Sequence, residues 1–420
     1  MSHRVSRRSI VVAALSTVVE WYDFTLYLYF ATVLSRVFFG GGAASLLTTL
    51  AGFAVAYLMR PVGAVVFGHI GDKYGRRPML LISMALMSAA MLATAMLPTY
   101  AQVGGLSGAL LLLLRCVMGF SVGGEYTGVI AYLLEGARPE RRGLVASLAA
   151  AASEVGGLLA VGVSALTVGL LPEAELQGWG WRIPFVVGAA LAGTVWVARR
   201  GLEESPEFEA LRDAGALPAN PLGHALTRQR AGVARAFAIS ALGSITYYVG
   251  ISYVPAFLTS VGAASEGDAL WLSTIAAVAV IAVTPVVGLL SDRFGRRPAL
   301  LALAGLSAVL PIALFTAMAG GMGGGALVGA VTLALVAGGT SAVGAIATGE
   351  QFSSASRASG LGLGYTVATA IFGGLTPYLA QVLVERTGNP AMPGVMIAVV
   401  AAAVLPVFWL MRETAPARAG

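Results

Sequence analysis

Charge is scarce in this sequence. Of 420 residues, 26 are basic and 20 acidic, 11% together, against about 25% in an average soluble protein. A water-soluble globule of this size could not cover its surface with so few charges. That speaks against a soluble enzyme, a disordered chain and a nucleic-acid binder. Cysteine is limited to Cys116, which excludes an intrachain disulfide framework and thiolate metal sites, since both need several cysteines. Histidine is limited to His3, His69 and His224. No two have metal-ligand spacing, so neither a metal nor any other cofactor is expected. Lysine is limited to Lys73, and the remaining basic residues are all arginine. What the chain has in quantity is apolar length, with 57% hydrophobic residues and 54 glycines besides.

A bilayer-crossing helix needs about 20 mostly apolar residues. Such runs fall at 10–38, 44–70, 79–98, 105–134, 143–171 and 183–199, then at 233–260, 269–290, 299–319, 324–349, 359–385 and 393–411. They are too long for strands, whose open edges cannot sit in lipid. The expectation is an all-α membrane protein of twelve helices, with its least certain boundary near Gly320–Gly325. Arg4, Arg7 and Arg8 ahead of an apolar stretch imitate a signal peptide. The stretch runs on to Phe39 without a small-residue cleavage site, so it reads as a first span.

Arginine and lysine set the orientation. With the N-terminus inside, cytoplasmic segments carry 21 of the basic residues. The outer segments carry three: Arg36, Arg182 and Arg386. Both termini are therefore expected in the cytoplasm, and the positive charge is a topology signal with no nucleic-acid partner implied. The sequence also repeats itself. GHIGDKYGRRPML from Gly68 and GLLSDRFGRRPAL from Gly288 lie 220 residues apart and agree at seven of thirteen positions. A looser echo pairs Glu135 and Arg142 with Glu350 and Arg357 at equal spacing. The expected organisation is two pseudo-symmetric six-helix bundles, 1–200 and 233–420, joined by a cytoplasmic linker at 201–232. Paired halves of this kind are the mark of an alternating-access transporter.

The repeated G-x-x-x-D-[KR]-x-G-R-R-P loop resembles the signature of the major facilitator superfamily. Four further stretches narrow the resemblance: VVEWYDF (18–24), LMRPVGAVVFG (58–68), RCVMGFSVGGEYTG (115–128) and WGWRIPF (179–185). Together they resemble the metabolite:proton symporters, bacterial permeases for citrate, 2-oxoglutarate, shikimate, aromatic acids, and proline or betaine. The resemblance covers essentially the whole chain. It implies the major facilitator fold, a multi-pass place in the bacterial cytoplasmic (inner) membrane, transport and not enzymatic activity, and protons as coupling ion. A monomer is expected. AIFGGLTP (370–377) is similar to the carboxylate carriers, whereas GGEYTG and TYYVGISYVP are similar to the proline/betaine type.

Six ionisable residues lie inside the expected spans, all in the first half: Glu20, Asp23, Arg60, Arg115, Glu125 and Glu154. Each costs about 2.5–3.5 kcal/mol near the midplane if isolated. They must pair, protonate or face water. Glu20 and Asp23, at i and i+3, share a helix face that Tyr27 extends. Two close carboxylates in a poorly hydrated site do not both ionise easily, the property a proton carrier needs; the other reading is that each simply pairs with an arginine. Arg60 and Arg115 either hold a substrate carboxylate or serve as counter-ions. Glu125 either locks helix 4 in an ion pair or carries a proton. Glu154 sits where the resemblance assigns no acid; it is either a substrate or proton group or a packing partner for an arginine. In the second half, Tyr247, Tyr248 and Tyr365 are the aromatic candidates for a cavity wall. Asp72 with Arg76 and Arg77, and Asp292 with Arg296 and Arg297, put opposite charges at cytoplasmic helix ends. Such pairs can join the halves when that side is closed and part when it opens. Glu135, Arg142, Glu350 and Arg357 extend these gates. The expected function is proton-coupled import of a small organic acid, such as a di- or tricarboxylate. The alternatives are symport of a zwitterion such as proline or betaine and, further off, a non-transporting membrane sensor.

Overall fold

The protein is described by a computed structural model over residues 7–74, 76–123, 142–201, 213, 230–320, 324–352 and 364–415. Backbone polar groups in lipid must be satisfied within their own segment, and the long apolar runs accordingly form helices; the described residues contain no strand. The helices are α1 (Arg7–Tyr29), α2 (Ala43–Tyr74), α3 (Arg76–Ala95), α4 (Leu106–Ser121), α5 (Arg142–Leu170) and α6 (Arg182–Arg199). They continue with α7 (Arg230–Tyr247), α8 (Glu266–Phe294), α9 (Arg296–Ala319), α10 (Gly325–Gly349), α11 (Gly364–Thr387) and α12 (Met392–Leu410). Each of the twelve expected runs thus contains a described helix.

Nine of these are long and apolar enough to cross a bilayer, or ten if the bent α7 and its continuation Val254–Ser260 count as one span. The expected twelve is therefore not reached by length and apolarity alone. The described part of α4 has only 16 residues, and α1 places Arg7, Arg8, Glu20 and Asp23 among its 23.

Local chemistry sets the breaks. α1 continues as Ala31–Phe39, with the hydrogen-bond ladder carried across Phe30. It ends at Gly40, Gly41 and Gly42, all at φ between 83° and 88°, a left-handed conformation that glycine adopts without penalty. α8 begins where the Ser265 hydroxyl accepts from the Asp268 N–H at 3.1 Å, and that cap makes the helix longer than its apolar run. α7 passes through a π-turn at Tyr248–Ser252 and bends by 46°. α11 carries a second π-turn at Ala370–Gly374. The break between α9 and α10 falls where the glycines suggested, with Gly324 at φ 94°.

The first half is closely built. Gly119 on α4 and Gly123 just beyond its end lie against the backbone of Ala56, Arg60 and Gly63 on α2, the small-residue contact that lets membrane helices touch. Gly156 of α5 lies in the same way against Val18 and Tyr22 of α1. Between the halves, α5 packs along α8 and touches α10, and α2 packs on α11. Large apolar side chains such as Leu58, Val65, Leu170, Val309 and Trp409 face outward, as lipid-facing positions require.

Candidate functional site

The site starts from α1. The i, i+3 spacing turns Glu20 and Asp23 toward two neighbouring helices, and each carboxylate meets one arginine. Arg60 of α2 donates Nη2 to Glu20 Oε1 at 2.8 Å and Nη1 to the Tyr57 hydroxyl at 2.7 Å. Its guanidinium lies 4.0 Å from the Phe24 ring centroid and 4.6 Å from that of Tyr57. Arg115 of α4 donates Nη1 to both Asp23 oxygens, at 3.1 and 2.9 Å, with the rings of Tyr27 and Phe185 beyond. All four charged groups are buried. Nε of Arg60, and Nε and Nη2 of Arg115, have no hydrogen-bond partner among the described residues. The arginines therefore serve as counter-ions here and keep donors in reserve.

From Arg60 a line of polar contacts reaches the other half. The Tyr57 hydroxyl lies 2.6 Å from the Tyr248 hydroxyl of the α7 π-turn. Trp21, between Glu20 and Asp23 in sequence, faces the opposite way from them and meets Tyr247 edge-on at 5.0 Å.

Beside this contact lies a cavity of about 70 Å³ between the halves, several times the roughly 10–15 Å³ that one water requires. Trp21 lines it from α1, Ser153 and Glu154 from α5, and Ser240, Ser244, Tyr247 and Tyr248 from the α7 segment. Thr340 and Thr348 of α10 and Tyr365 and Thr369 of α11 complete the polar wall. Glu154, Tyr247, Tyr248 and Tyr365 are thus brought together at one wall. Glu154 is hydrogen-bonded to Tyr247. Glu20, Asp23, Arg60 and Arg115 sit behind the wall and do not line it. Tyr27 is not in the cavity either: its hydroxyl donates to the Thr49 carbonyl at 2.9 Å and its ring stacks on Phe53, so it packs α1 on α2. Glu125 lies outside the described residues. Trp21 and the serines and threonines of α7, α10 and α11 went unnoticed in the sequence. The signal was available in Ser240, Ser244, Tyr247 and Tyr248, which recur at i, i+4, i+7 and i+8, a single helix stripe. No group of residues able to hold a metal occurs among the described residues.

At the arginine-rich end, Asp292 accepts from Arg296 Nη2 at 2.7 Å and from the Leu144 backbone N–H at 3.0 Å. The second contact crosses between the halves, from a backbone group at the start of α5. Arg296 also reaches Ser291 at 2.9 Å and Glu350 at 3.4 Å within its own half. Arg297 stays there too, 5.5 Å from the Trp409 ring, while Arg77 donates to the Arg200 carbonyl at 2.9 Å. Glu135 and Arg357, and the side chains of Asp72, Arg76 and Arg142, lie outside the described residues. One unanticipated group completes this end. Glu413 accepts from the N–H groups of Arg296 and Arg297 at 2.8 and 3.1 Å, capping α9 from the chain beyond α12. Gly295, at φ 107°, leaves the space for it.

The opposite end holds a cross-half ion pair that sequence reasoning missed. Arg36 Nη2 lies 2.7 Å from Glu266 Oε2 at the start of α8, with Thr32 hydrogen-bonded to the same carboxylate and Glu173 at 3.5 Å from Arg36 Nε. In sequence Arg36 was only one of three outer charges.

The chain matches the family described as sugar (and other) transporter over residues 9–217 and the Major Facilitator Superfamily over 262–420. It is 35% identical to the alpha-ketoglutarate permease of Escherichia coli over 89% of this chain and 86% of that one. It is 33% identical to the proline/betaine transporter of the same species, over 97% and 84%. To the citrate-proton symporter of Klebsiella pneumoniae it is 32% identical, over 89% and 85%. The fold matches the solved proton:xylose symporter XylE bound to 6-bromo-6-deoxy-D-glucose with a TM-score of 0.78 at 19% identity, covering 97% of this chain and 96% of that one.

Proposed function

Because the chain belongs to the major facilitator superfamily, a family of multi-pass membrane transporters and not of enzymes, we propose that it imports a small carboxylate-bearing solute together with protons by alternating access. The observation that carries this reading is the pairing of each α1 carboxylate with one buried arginine, directly behind a cavity between the halves. A buried carboxylate whose proton arrives from outside gives up its ion pair. The arginine so released has donors for a substrate carboxylate, including those already unoccupied on Arg60 and Arg115. Protonation at Glu20 or Asp23 and substrate binding then favour each other. The Tyr57–Tyr248 contact ties the Arg60 pair to the other half, so a change in the pair is felt where the halves meet.

The cycle needs two closed ends that open in turn. Arg36–Glu266 closes the outer end and Asp292–Leu144 the inner one, with both termini in the cytoplasm. The membrane potential supplies about 2.3 kcal/mol per charge per 100 mV. Organic acids and zwitterions both carry the carboxylate this cycle uses. The organic acid is supported by the spare arginine donors, and the zwitterion by the cavity wall.

The test is reconstitution into tight liposomes with a pH dye inside. 2-Oxoglutarate, citrate, an aromatic acid, proline and glycine betaine are added outside in turn. Internal acidification with at least one of them is expected. Binding of a panel member without acidification would replace coupled transport by sensing or uncoupled uptake.

A further inference from the structure

We infer that the cavity holds a recognition site for a positively charged nitrogen, formed by Glu154 with the rings of Trp21, Tyr247 and Tyr248, and that the transported solute is a zwitterion bearing an alkylated ammonium. This rests on the symport reading above and narrows its substrate.

Three observations carry it. First, Glu154 is treated differently from the other buried acids. Glu20 and Asp23 each have an arginine within 3 Å. Glu154 is also buried, yet no cation pairs with it among the described residues, and its hydrogen-bond partner is the neutral Tyr247. An unpaired buried carboxylate is expensive and marks a functional site. Second, among the described residues it is the one carboxylate lining the cavity, and no described arginine, lysine or histidine lines it with it. A di- or tricarboxylate entering here would bring negative charge against negative charge with no cation facing it. Third, the wall beside Glu154 is aromatic. Trp21 and Tyr247 meet at 5.0 Å and 74°, Trp21 and Tyr248 at 6.3 Å and 23°, and Tyr247 and Tyr248 at 5.3 Å and 71°. Rings at these angles offer faces in more than one direction, the arrangement that binds quaternary ammonium groups through their ring quadrupoles.

The two ends of such a solute find different surroundings. The ammonium takes Glu154 and the rings. The carboxylate is directed toward Tyr248, whose hydroxyl leads through Tyr57 to Arg60 at 2.6 and 2.7 Å. An alkylated ammonium suits the site because it is weakly hydrated and loses little on leaving water. Its partner carboxylate keeps the solute neutral overall, so the proton remains the charge that the membrane potential drives.

The experiment measures binding without any gradient, on the purified full chain in nanodiscs. The probes are tetramethylammonium, glycine betaine and succinate, read by tryptophan fluorescence, since Trp21 lies in the site, and by thermal unfolding. Tetramethylammonium is expected to compete with glycine betaine on the unaltered chain, and Glu154→Gln to weaken both at least about tenfold while succinate does not weaken. Equal affinity of both ammonium probes for the two chains would overturn the site. So would succinate binding that tetramethylammonium fails to displace, with no betaine binding. If Glu154→Gln fails to fold, competition on the unaltered chain decides alone. Failure of the symport reading would show separately, as vesicles that do not acidify although ammonium probes bind. Failure of the cation site would show as acidification driven by an organic acid while those probes do not bind.

Discussion

The two halves divide their chemistry unequally. Among the described residues, the ionisable side chains buried at mid-span (Glu20, Asp23, Arg60, Arg115 and Glu154) all belong to the first half. The second half meets them with hydroxyls and rings: Ser240, Ser244, Tyr247, Tyr248 and Thr369. Across the middle of the membrane the halves are therefore joined by hydroxyls and rings, with Tyr248 meeting Tyr57 and Tyr247 meeting Glu154, and by no ion pair among the described residues. Among the described residues, ionic contact between the halves occurs at the end away from the repeated loops, where Arg36 and Glu266 keep 28% and 16% of their side-chain exposure. The mid-span pairs keep 5% or less. The difference is energetic. Parting a neutral hydrogen bond costs about 0.5–1.5 kcal/mol, whereas stranding a charge in a low-dielectric interior costs several. An interface that must part and re-form in every cycle is cheap where it is dry and ionic only where water can take over.

The comparison can be broken most severely inside the first half. Arg115→Gln leaves Asp23 buried without its cation and is expected to destabilise the protein by about 3–5 kcal/mol. Asp23→Asn combined with Arg115→Gln should recover most of that, as read by unfolding in detergent. A single variant as stable as the unaltered chain would show that the pair is not a unit. Next in size is Glu20→Gln, which removes one candidate proton carrier. Accumulation driven by a pH gradient should fall about 5–150-fold, the usual range of a coupling energy between two sites, while counterflow with no gradient persists. Tyr248→Phe tests the dry interface: losing the Tyr57 contact should cost about 1 kcal/mol and loosen proton coupling, as measured by a lower ratio of protons to solute. Arg36→Gln should shift the balance of outer-open and outer-closed forms by about 1 kcal/mol or less. That shift should shrink with added salt, as followed by distance measurements between spin labels at the outer ends of α1 and α8.

The last effect concerns Glu413 and disappears in acid. Partial burial pushes its carboxyl up, but hydrogen bonds from the N–H groups of Ala415, Arg296, Arg297 and Thr414 outweigh this and hold it below the ordinary carboxylate range. A depressed folded-state value gives stability that is present above the unfolded value, about 4.3, and is lost as pH falls through the folded one. Glu413→Gln should therefore weaken the anchoring of α9 by about 1 kcal/mol, the usual worth of a helix cap, at neutral pH and match the unaltered chain in strong acid. Thermal unfolding from neutral to low pH would follow it.

Most of the fold was legible because the bilayer imposes long apolar runs, a one-dimensional signal. At the site, Glu20, Asp23, Arg60 and Arg115 could be found because charge is costly in lipid and stands out. Which acid meets which arginine could not, since that depends on the rotation of α2 and α4 about α1. Tyr27 does share the face of Asp23, as its i+4 spacing gives, with Arg115 5.7 Å from its ring, but that its hydroxyl goes to Thr49 of α2 again depends on how the helices are rotated. The outer ion pair escaped because Arg36 and Glu266 lie 230 residues apart, in segments that sequence treats only as loops. Glu413 escaped because a cap supplied from so far along the chain leaves no local pattern.

The contact of Gly119 and Gly123 with α2 has a consequence for tolerance to change. Each lies so close to the α2 backbone that an added methyl group would overlap it, and no flexible side chain stands between to give way. Glycine to alanine, which elsewhere in a helix gains roughly 0.5–1 kcal/mol, is here among the least acceptable replacements in the molecule. With backbone against backbone there is no side-chain layer to slide, so α2 and α4 travel as one piece and carry Arg60 and Arg115 at a fixed separation. Two charges spaced by a missing carbon behave as a ruler, against which the carboxylates of α1 must be measured in every state of the cycle.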